Sequence, residues 1–315
     1  RDAQESRGLG DVYKRQLQTH FHVLIGGRRS IKEISMSTFY NSERLKYNQM
    51  NYNNDVELDN FCSQCLLVIN AVGPSFKIND KIALHALRNN CHYIDIGGYG
   101  ILRDLLKPYE KSIEAQKLCF IIGVGWMPGI SGVFSKTIIE THLNSPENTN
   151  FNIYYGAVDN WSYSSTYDLA ASSMGKTRSY VYSHGKEIQV SPFRYTHHKF
   201  FPFIGHKKIC MPSFDEQLTQ LATSLKQIRK ISTFIMLNDY ISMGKFMFIK
   251  IFYKHNLNKA TLMLQDDYQR LVKKENKWGS VICQVSKIEP ERKIDTFYYL
   301  YTCLLYTSDA ADDGE

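Results

Sequence analysis

The chain has 315 residues, of which 43% are hydrophobic and 22% charged, and its formal net charge is +7. This length allows two hydrophobic cores. The basic residues are scattered without a long Lys/Arg block or stripe, so we expect no nucleic-acid partner. The best alternative location for a nucleic-acid patch is residues 186–208, where lysines and histidines lie among aromatic side chains.

Both ends of the chain differ from the rest. Residues 1–16 and 303–315 resemble translated sequencing-library adapter, and neither shows the periodicity of a buried face. The alternative is a pair of genuine charged tails. Without these ends the chain has 34 Lys+Arg and 24 Asp+Glu, and the net charge is +10. We therefore expect residues 17–302 to be the natural part, open to truncation at either end.

The six cysteines of the natural part lack the short, even spacing of secreted disulfide frameworks, which favours reduced thiols and a cytoplasmic location. Cys62 and Cys65 form a CxxC, for which half a zinc site or a redox pair are alternatives to two helix-face thiols. No second Cys/His pair follows at metal-ligand spacing, so we expect no metal. The longest apolar stretch, residues 231–253, is too interrupted for a membrane span. The interrupting residues are Asn238, Asp239, Lys245 and Lys250.

Strand-like and helix-like segments alternate in the first half of the chain. Apolar runs predict strands at 22–26, 66–72, 91–96 and 119–124, and helices are predicted at 56–64, 79–90 and 103–117. Asn79 is the expected N-cap of the second helix, which has an apolar face of Ile82, Ala83, Ala86 and Leu87. This alternation predicts an α/β fold with a doubly wound, mostly parallel sheet.

The four strand exits share a glycine-rich composition. They are residues 26–30, 70–74, 95–98 and 123–129. In doubly wound sheets ligands bind outside the carboxyl ends of the strands. Glycine there lets the backbone approach a ligand, although it also simply makes turns. Four such exits in register favour a ligand site.

The order and spacing of four motifs resemble the dinucleotide domain of saccharopine dehydrogenase-like proteins. The motifs are Ile25-Gly-Gly-Arg-Arg29, Val68-Ile-Asn-Ala-Val-Gly-Pro74, His92-Tyr-Ile-Asp-Ile-Gly-Gly98 and Gly123-Val-Gly-Trp-Met-Pro-Gly129. The resemblance covers residues 17–134 well and 151–286 loosely. It implies a Rossmann-type NADP(H)-binding domain at 17–135, a connection at 136–150, and an α+β substrate domain at 151–302.

The resemblance implies NADP(H) as cofactor, and the residues after the first predicted strand agree. An NAD enzyme usually presents an acidic residue to the ribose 2′-hydroxyl, whereas this chain has Arg28, Arg29 and Ser30. A guanidinium suits phosphate oxygens, although two surface arginines are the alternative. By the family pattern, loop 70–74 passes beneath the nicotinamide ribose and loop 95–98 lines the nicotinamide pocket. The expected cofactor-binding residues are Gly27, Arg28, Arg29, Ser30, Asn70, Ala71, Val72, Gly73, Pro74, Asp95, Gly97, Gly98, Gly125, Pro128 and Gly129.

The chain departs from the family pattern in two places. The first strand and its GxGxxG phosphate loop do not precede Leu17, so we expect the chain as written to hold pyrophosphate poorly and to be inactive. Strands near Val23 and Val68 would be partly unpaired, which predicts loose packing or aggregation. Many relatives also carry an acidic residue after the Tyr-x-Asp strand, where this chain has Gly98-Tyr99-Gly100. The catalytic residue is therefore unassigned, with Asp95, Tyr99 and Asp168 as candidates.

The second half is predicted to mix strands and helices. Strands are expected at 151–158, 179–183, 187–190 and 278–287, a turn at 184–186, and helices at 133–143 and 215–230, the latter with Leu218, Leu221 and Leu225 on one face. Asp168 is either a proton donor or a helix-surface carboxylate, and the His197-His198 pair lacks a third metal ligand. Candidates for substrate handling are Trp161, Tyr163, Ser165, Asp168, Arg178, His184, His197 and His198.

These patterns lead to one preferred function and several alternatives. The preferred function is an NADP(H)-dependent oxidoreductase acting on a C–N bond of an amino-acid-derived small molecule, in a protein that forms a homodimer. A trans-acting enoyl reductase is a further member of the same family. A non-catalytic NADP(H) sensor or scaffold is the alternative from another class, because fold alone does not fix function.

Overall fold

A computed structural model describes residues 22–30, 32, 45–98, 100–143, 148–174, 179–213, 216–253, 255–288 and 290–302. The chain divides into two compact units, the first ending at Val124 and the second beginning at Gly125. The sequence had placed this boundary after residue 135. Each unit has hydrophobic core clusters of its own.

The described residues of the first unit form five parallel strands in two sheets. Strand β1 (Val23–Gly27) pairs with β2 (Leu45–Gln49), and β3 (Leu67–Asn70), β4 (His92–Asp95) and β5 (Phe120–Ile122) pair in that order. Within the described residues, β1 pairs only with β2 and β3 pairs only with β4. The α/β fold with parallel strands is thus confirmed, and its parallel strands form two separate sheets.

The helices of the first unit follow the predicted alternation with shifted ends. They are α1 (Asp55–Cys62), α2 (Ser75–Ile78), α3 (Lys81–Arg88), α4 (Gly100–Leu106) and α5 (Glu110–Ala115). The prediction that Asn79 is an N-cap was wrong, because Asn79 has φ of 53° and is the C-cap of α2, whereas Asp80 is the N-cap of α3. The helix predicted at 103–117 is interrupted by a 3₁₀ turn containing Pro108, whose nitrogen has no hydrogen to donate.

One face of the three-stranded sheet is packed and the other is open. Val68 and Tyr93 are 4% and 0% exposed and belong to the core cluster that includes α1 and α3. On the other face Ile69 and Ile121 are 58% and 47% exposed. The apolar runs that predicted these strands therefore bury one face of the sheet and leave apolar side chains exposed on the other. Between α1 and α3, the His85 ring contacts the Asp59 carboxylate at 2.6 Å.

The second unit is built on one eight-stranded sheet. Its main order is β13-β12-β6-β11-β10-β9, and β7 and β8 extend it from β11. The pairing of β6 with β11 is parallel, and the other pairings are antiparallel. The strands are β6 (Thr149–Val158), β7 (Ser179–Ser183), β8 (Lys186–Val190), β9 (His197–Phe201), β10 (His206–Pro212), β11 (Lys230–Leu237), β12 (Trp278–Ile288) and β13 (Lys293–Thr302).

The helices of the second unit are α6 (Ile130–Thr141), α7 (Tyr163–Met174), α8 (Pro192–Tyr195), α9 (Glu216–Ser224), α10 (Tyr240–Phe252) and α11 (Leu257–Val272). The helix predicted at 215–230 was too long, because Lys230 already begins β11 in the centre of the sheet. The strands predicted near 179–183, 187–190 and 278–287 are confirmed. No helix in the described part of the chain has both the length and the apolar character needed to cross a membrane.

The large sheet packs both of its faces. One face buries Phe151 and Ile153 with residues of α6 and α9. Over the other face the hairpin of β9 and β10 curls back, so that Phe203, between these strands, meets Tyr299 of β13 with ring centroids 4.6 Å apart. We call this second side the concave face. Its apolar half is built around Tyr154 and joins residues of β9, β10, β11 and β12.

Candidate functional site

The tip of β1 presents two arginines on an anchored backbone. The Tyr47 hydroxyl donates to the carbonyl of Arg29 at 2.7 Å, and the Gln49 amide donates to the carbonyl of Arg28 at 3.2 Å. Both anchors come from β2, which runs parallel to β1 and ends beside it. Arg28 and Arg29 themselves are exposed. Two guanidinium groups therefore stand at a fixed strand exit with access to solvent.

Loop 70–74, at the exit of β3, is shaped by Asn70. Its side chain is only 4% exposed, and its oxygen accepts from the backbone N–H of Val72 at 3.0 Å, which turns the chain. The peptide between Gly73 and Pro74 is cis, and α2 begins directly after it. Ala71 and Val72 are exposed at the strand exit.

A buried hydrogen-bond cluster lies beneath loops 70–74 and 95–98. Asp95 is 2% exposed, and its Oδ2 accepts from the Tyr93 hydroxyl at 2.5 Å and from the Asn70 amide at 2.7 Å. Burial raises the pKa of Asp95, and the hydrogen bonds from Tyr93, Asn70 and the Gly97 backbone oppose that rise. The structure thus brings together two sequence candidates, Asn70 and Asp95. The Asp95 carboxylate is engaged with protein donors, which suits positioning of the loops.

Glycine is required where β4 exits. Gly98 has φ of +54°, and a Cβ there would lie 2.6 Å from Leu102 Cδ2 and 2.9 Å from Asp95 Oδ1. A Cβ on Gly97 would collide with the Ser75 hydroxyl of α2. Backbone conformation and close packing both exclude a larger side chain here. These two glycines hold the loop against α2 and the buried carboxylate.

The last strand-exit segment, residues 125–129, belongs to the second unit and leads into α6. The Gly125 N–H donates to the carbonyl of Pro128 at 3.0 Å, which closes a tight turn. Gly129 has φ of 129°, and its N–H donates to the Gln217 side chain at 3.0 Å. One backbone donor at the start of α6 is therefore already satisfied by α9.

The second-unit candidates are mostly structural in their contacts. Asp168 is 7% exposed on α7, so the alternative of a helix-surface carboxylate was wrong. Trp161 stacks on Tyr268 with centroids 4.8 Å apart, and the Tyr163 hydroxyl donates to Asn258 at 2.8 Å. Ser165 lies in the first turn of α7, and His184 lies in the predicted turn between β7 and β8. Tyr99 and Arg178 lie outside the described residues.

The adjacent histidines do not form a metal pair. His197 packs its ring against Phe234 on the concave face, with centroids 4.9 Å apart. His198 is exposed, and its Nε2 lies at hydrogen-bond distance, 2.8 Å, from the Tyr240 hydroxyl. Successive strand residues point to opposite faces, which separates the two rings. Among the described residues, no group of three or more His, Cys, Asp or Glu side chains is placed to hold a metal.

The CxxC cysteines are packed into the first-unit core. Cys62 is buried and burial raises its pKa to about 12, while Cys65 is half-buried. The thiol of Cys91 donates to the backbone carbonyls of Cys62 at 3.2 Å and Cys65 at 3.0 Å. Thiols with raised pKa values are weak nucleophiles and weak metal ligands. The contacts agree with a structural role for both thiols, but the expectation of two helix-face thiols holds only for Cys62, because α1 ends there and Cys65 follows a turn.

Three residues that the sequence did not single out organise this site, namely Tyr47, Gln49 and Tyr93. Tyr93 could have been identified from the sequence as a partner of Asp95, because it lies two residues earlier on the same strand and hence on the same face. A carboxylate on the packed face of a buried strand needs donors. The anchors Tyr47 and Gln49 gave no comparable signal, because their role depends on the pairing of β2 with β1.

Of the comparisons with known proteins, the one with solved structures bears on the fold. No protein-family model and no curated protein sequence matches the chain. The apo saccharopine dehydrogenase (L-Glu forming) of Saccharomyces cerevisiae is similar in structure, with a TM-score of 0.58 and 14% identity over 93% of this chain and 83% of that chain.

Two other structures are more remote. An engineered D-amino acid dehydrogenase bound to NADP+ has a TM-score of 0.38 and 7% identity over 90% of this chain and 84% of its own. The Synechocystis biliverdin reductase in complex with biliverdin and NADP+ has a TM-score of 0.34 and 8% identity over 88% and 84%. Similarity at this level is too weak to indicate a shared fold.

The likeness to the yeast saccharopine dehydrogenase is stronger and covers 93% of the chain. The chain therefore shares the α/β fold of that protein, and the likeness extends over both of its units.

Proposed function

We propose that this chain is an NADP(H)-dependent oxidoreductase of the saccharopine dehydrogenase-like kind, acting on a C–N bond of an amino-acid-derived substrate. The observation that carries the proposal is the exposed pair Arg28 and Arg29 at a parallel-strand exit, with both backbone carbonyls anchored by β2. Such a strand exit is where doubly wound folds present residues to the adenine ribose of a dinucleotide.

The donor set at this exit fits a 2′-phosphate better than a 2′-hydroxyl. Residues 26–30 contain two arginines and a serine and no acidic residue. Arginine offers a planar fork of N–H donors to phosphate oxygens, whereas a ribose hydroxyl is usually held by a carboxylate. Arg28 and Arg29 would hold the 2′-phosphate, and loop 70–74 would approach the nicotinamide ribose through its backbone. The nicotinamide group would supply the hydride.

The fold likeness supports an oxidoreductase but leaves the substrate open. The structurally similar yeast protein is a saccharopine dehydrogenase, which is the source of the C–N bond in this proposal. The buried cluster of Tyr93, Asp95 and Asn70 supports the same site by holding two strand-exit loops in fixed relative positions. Fixed loops are what hydride transfer needs, because it depends on the positions of the reacting carbons.

The experiment that tests the cofactor preference uses adenosine 2′,5′-bisphosphate, which carries the 2′-phosphate without the pyrophosphate or nicotinamide. We would titrate the full chain with this probe and with 5′-AMP by calorimetry. The expected result is tighter binding of the bisphosphate. Replacing both arginines (Arg28→Ala with Arg29→Ala) should weaken bisphosphate binding by about 10- to 100-fold, since charge-assisted hydrogen bonds to phosphate are lost. Arg88→Ala, another exposed arginine of the same unit, is the matched control.

Two outcomes would contradict the proposal in different ways. Equal affinity for the bisphosphate and 5′-AMP, or equal losses in the double variant and in the Arg88 control, would refute the NADP(H) preference. In a full-length protein that carries the phosphate loop, binding of NADPH without its oxidation by any imine, by keto acid with amine, or by enoyl substrate would favour a sensor. Oxidation by an enoyl substrate alone would move the reaction from a C–N to a C–C bond.

A further inference from the structure

Polar side chains occupy the half of the concave face that adjoins its apolar half along the strands. Ser232 of β11, Asn152 of β6 and Gln284 of β12 are direct neighbours across the sheet by strand register. One step further along, Asn150 of β6 is paired with Ser286 of β12. Directly paired residues point to the same side of a sheet, so these side chains share one surface.

Lys199 reaches this surface from the curled hairpin. Its Nζ donates to Gln284 Oε1 at 2.7 Å and lies 5.3 Å from the Tyr154 ring centroid and 5.1 Å from that of Phe297. The side chain is half-buried. Burial lowers the pKa of Lys199, and Asp295 opposes that effect. A partly desolvated ammonium group held between two rings stabilises an anion more strongly than an exposed lysine does.

Hydrogen bonding in this cluster is unbalanced. Gln284 Oε1 already accepts from three donors, which are Lys199, the Tyr154 hydroxyl at 3.1 Å and the Asn152 amide at 3.5 Å. Ser232 is 1% exposed, and its hydroxyl has no hydrogen-bond partner among the described residues. Buried polar groups in native proteins almost always have a partner. The ammonium of Lys199 has three N–H bonds and uses one of them here.

The charges near Lys199 do not supply the missing acceptor. Asp295, a carboxylate whose charge acts on Lys199, accepts from the Ser286 hydroxyl at 2.6 Å and from Lys293 at 3.2 Å. Lys230, adjacent to Asn150 across the strands, places its ammonium over the Tyr195 ring at 5.0 Å. Among the described residues, the cluster therefore has unused donors at Lys199 and Ser232 beside one buried acceptor without a partner, Asn150 Oδ1. Two lysines, Lys199 and Lys293, face the single carboxylate of Asp295.

We propose that the polar half of the concave face binds a small monocarboxylate, whose oxygens accept from Lys199 Nζ and Ser232 Oγ. A single negative charge matches the one ammonium group that the cluster directs inward, whereas the nearby Asp295 disfavours a phosphate dianion. The two oxygens of a carboxylate also match donors that come from two sides, the sheet and the hairpin. This site lies wholly within the second unit and is independent of the cofactor site proposed above.

The test measures propionate binding to the full chain by saturation-transfer difference NMR, with propionamide as the uncharged analogue of the same shape. We expect transfer to propionate, and at least tenfold less to propionamide. Lys199→Met should lower propionate transfer at least tenfold, and Ser232→Ala at least threefold. Lys207→Met removes an exposed lysine of the adjacent strand β10 and should leave the signal unchanged.

Each variant is also tested for correct folding. Trp278 fluorescence and far-UV circular dichroism report whether the sheet is intact, and Lys199→Arg, which keeps the charge, should retain propionate binding if Lys199→Met unfolds the unit. Equal transfer to propionate and propionamide, or unchanged binding in both Lys199→Met and Ser232→Ala, would overturn the proposal. Inorganic phosphate that displaces propionate at equal concentration would overturn the choice of a monocarboxylate. No transfer to propionate at all would also overturn the proposal, and water would then be the partner of Ser232.

Discussion

The hydroxyl of Tyr93 offers a direct measure of the buried cluster in the first unit. Tyr93→Phe removes one oxygen from a side chain that is 0% exposed and deletes the 2.5 Å hydrogen bond to Asp95. Asp95 keeps the Asn70 amide and the Gly97 N–H as donors. A hydrogen bond to a charged, buried acceptor contributes about 1.5–3 kcal/mol, so we expect a loss of about 2 kcal/mol in the free energy of unfolding of this unit. For a unit of roughly 100 residues, that corresponds to a fall in Tm of about 10 °C.

The two units can be followed separately in one sample. All three tryptophans, Trp126, Trp161 and Trp278, lie in the second unit, whereas far-UV circular dichroism reports both units. Tyr93→Phe should therefore lower the Tm of the first unit, which circular dichroism detects, and leave the Tm detected by tryptophan fluorescence unchanged. Tyr154→Phe is the matched control, because it deletes a buried hydroxyl that donates to the neutral Gln284 amide. Tyr154→Phe should lower the free energy of unfolding of the second unit by about 1 kcal/mol and lower the Tm detected by tryptophan fluorescence.

The effect of Tyr93→Phe also depends on pH in a defined direction. Burial raises the folded-state pKa of Asp95 above its unfolded value. Its contribution to stability is therefore fully present below about pH 4 and declines as pH rises through the raised pKa. Protonation makes the acceptor neutral, so the difference between wild type and Tyr93→Phe should shrink as pH falls. A pH-independent difference, or one under about 0.5 kcal/mol at neutral pH, would refute a charged acceptor.

Three further predictions concern backbone, charge and thiols. Gly98→Ala should destabilise the first unit by about 1–3 kcal/mol in urea titration because of its positive φ, whereas Gly244→Ala, in helix α10 with open space around it, should stabilise the second unit by about 0.5–1 kcal/mol. Burial alone would raise the pKa of Asp239, but hydrogen bonds from Arg270 and Ser242 outweigh it and lower the pKa to about 2. The second unit should thus lose about 1 kcal/mol, after allowance for solvent screening, as pH falls from about 5 to 2, and Asp239→Asn should abolish that loss; an unchanged acid titration would contradict the pairing. Cys119 is exposed, so peptide mapping after brief treatment with a thiol reagent should find it labelled first among the six described cysteines, and faster labelling of Cys62 would show that the first-unit core opens.

Parts of this architecture could be predicted because they depend on local pattern. The strands at β3, β4 and β5 are short apolar runs followed by glycine or proline, and parallel strands bring their exits to one edge whatever the rest of the chain does. The hydrogen bond between Tyr93 and Asp95 could also be predicted, because residues two apart on a strand lie on the same face. The apolar face of α3 also follows from residue spacing alone, although its N-cap did not.

The second unit was harder to predict because its elements depend on distant partners. Strand β9 has the sequence His-His-Lys-Phe-Phe, which resembles a basic surface patch, and it becomes a strand because β10 pairs with it. Strand β11 begins in a run of polar residues that continued the helical pattern of α9. The polar half of the concave face combines residues from β6, β9, β11 and β12, and local periodicity contains no information on that combination.

Strand β12 is expected to be the part of the molecule that is most protected from local unfolding. Nine of its eleven residues are buried, and it is paired along its length with β6 on one side and β13 on the other. Amide protons of such a strand exchange with solvent only through unfolding of its whole unit, whereas those of β1, which is paired on one side within the described part of the chain, exchange through smaller openings. In deuterium-labelling experiments the centre of β12 should be the last segment to gain mass. A protease that cuts the open first unit would then leave the β12 core as the longest-lived fragment.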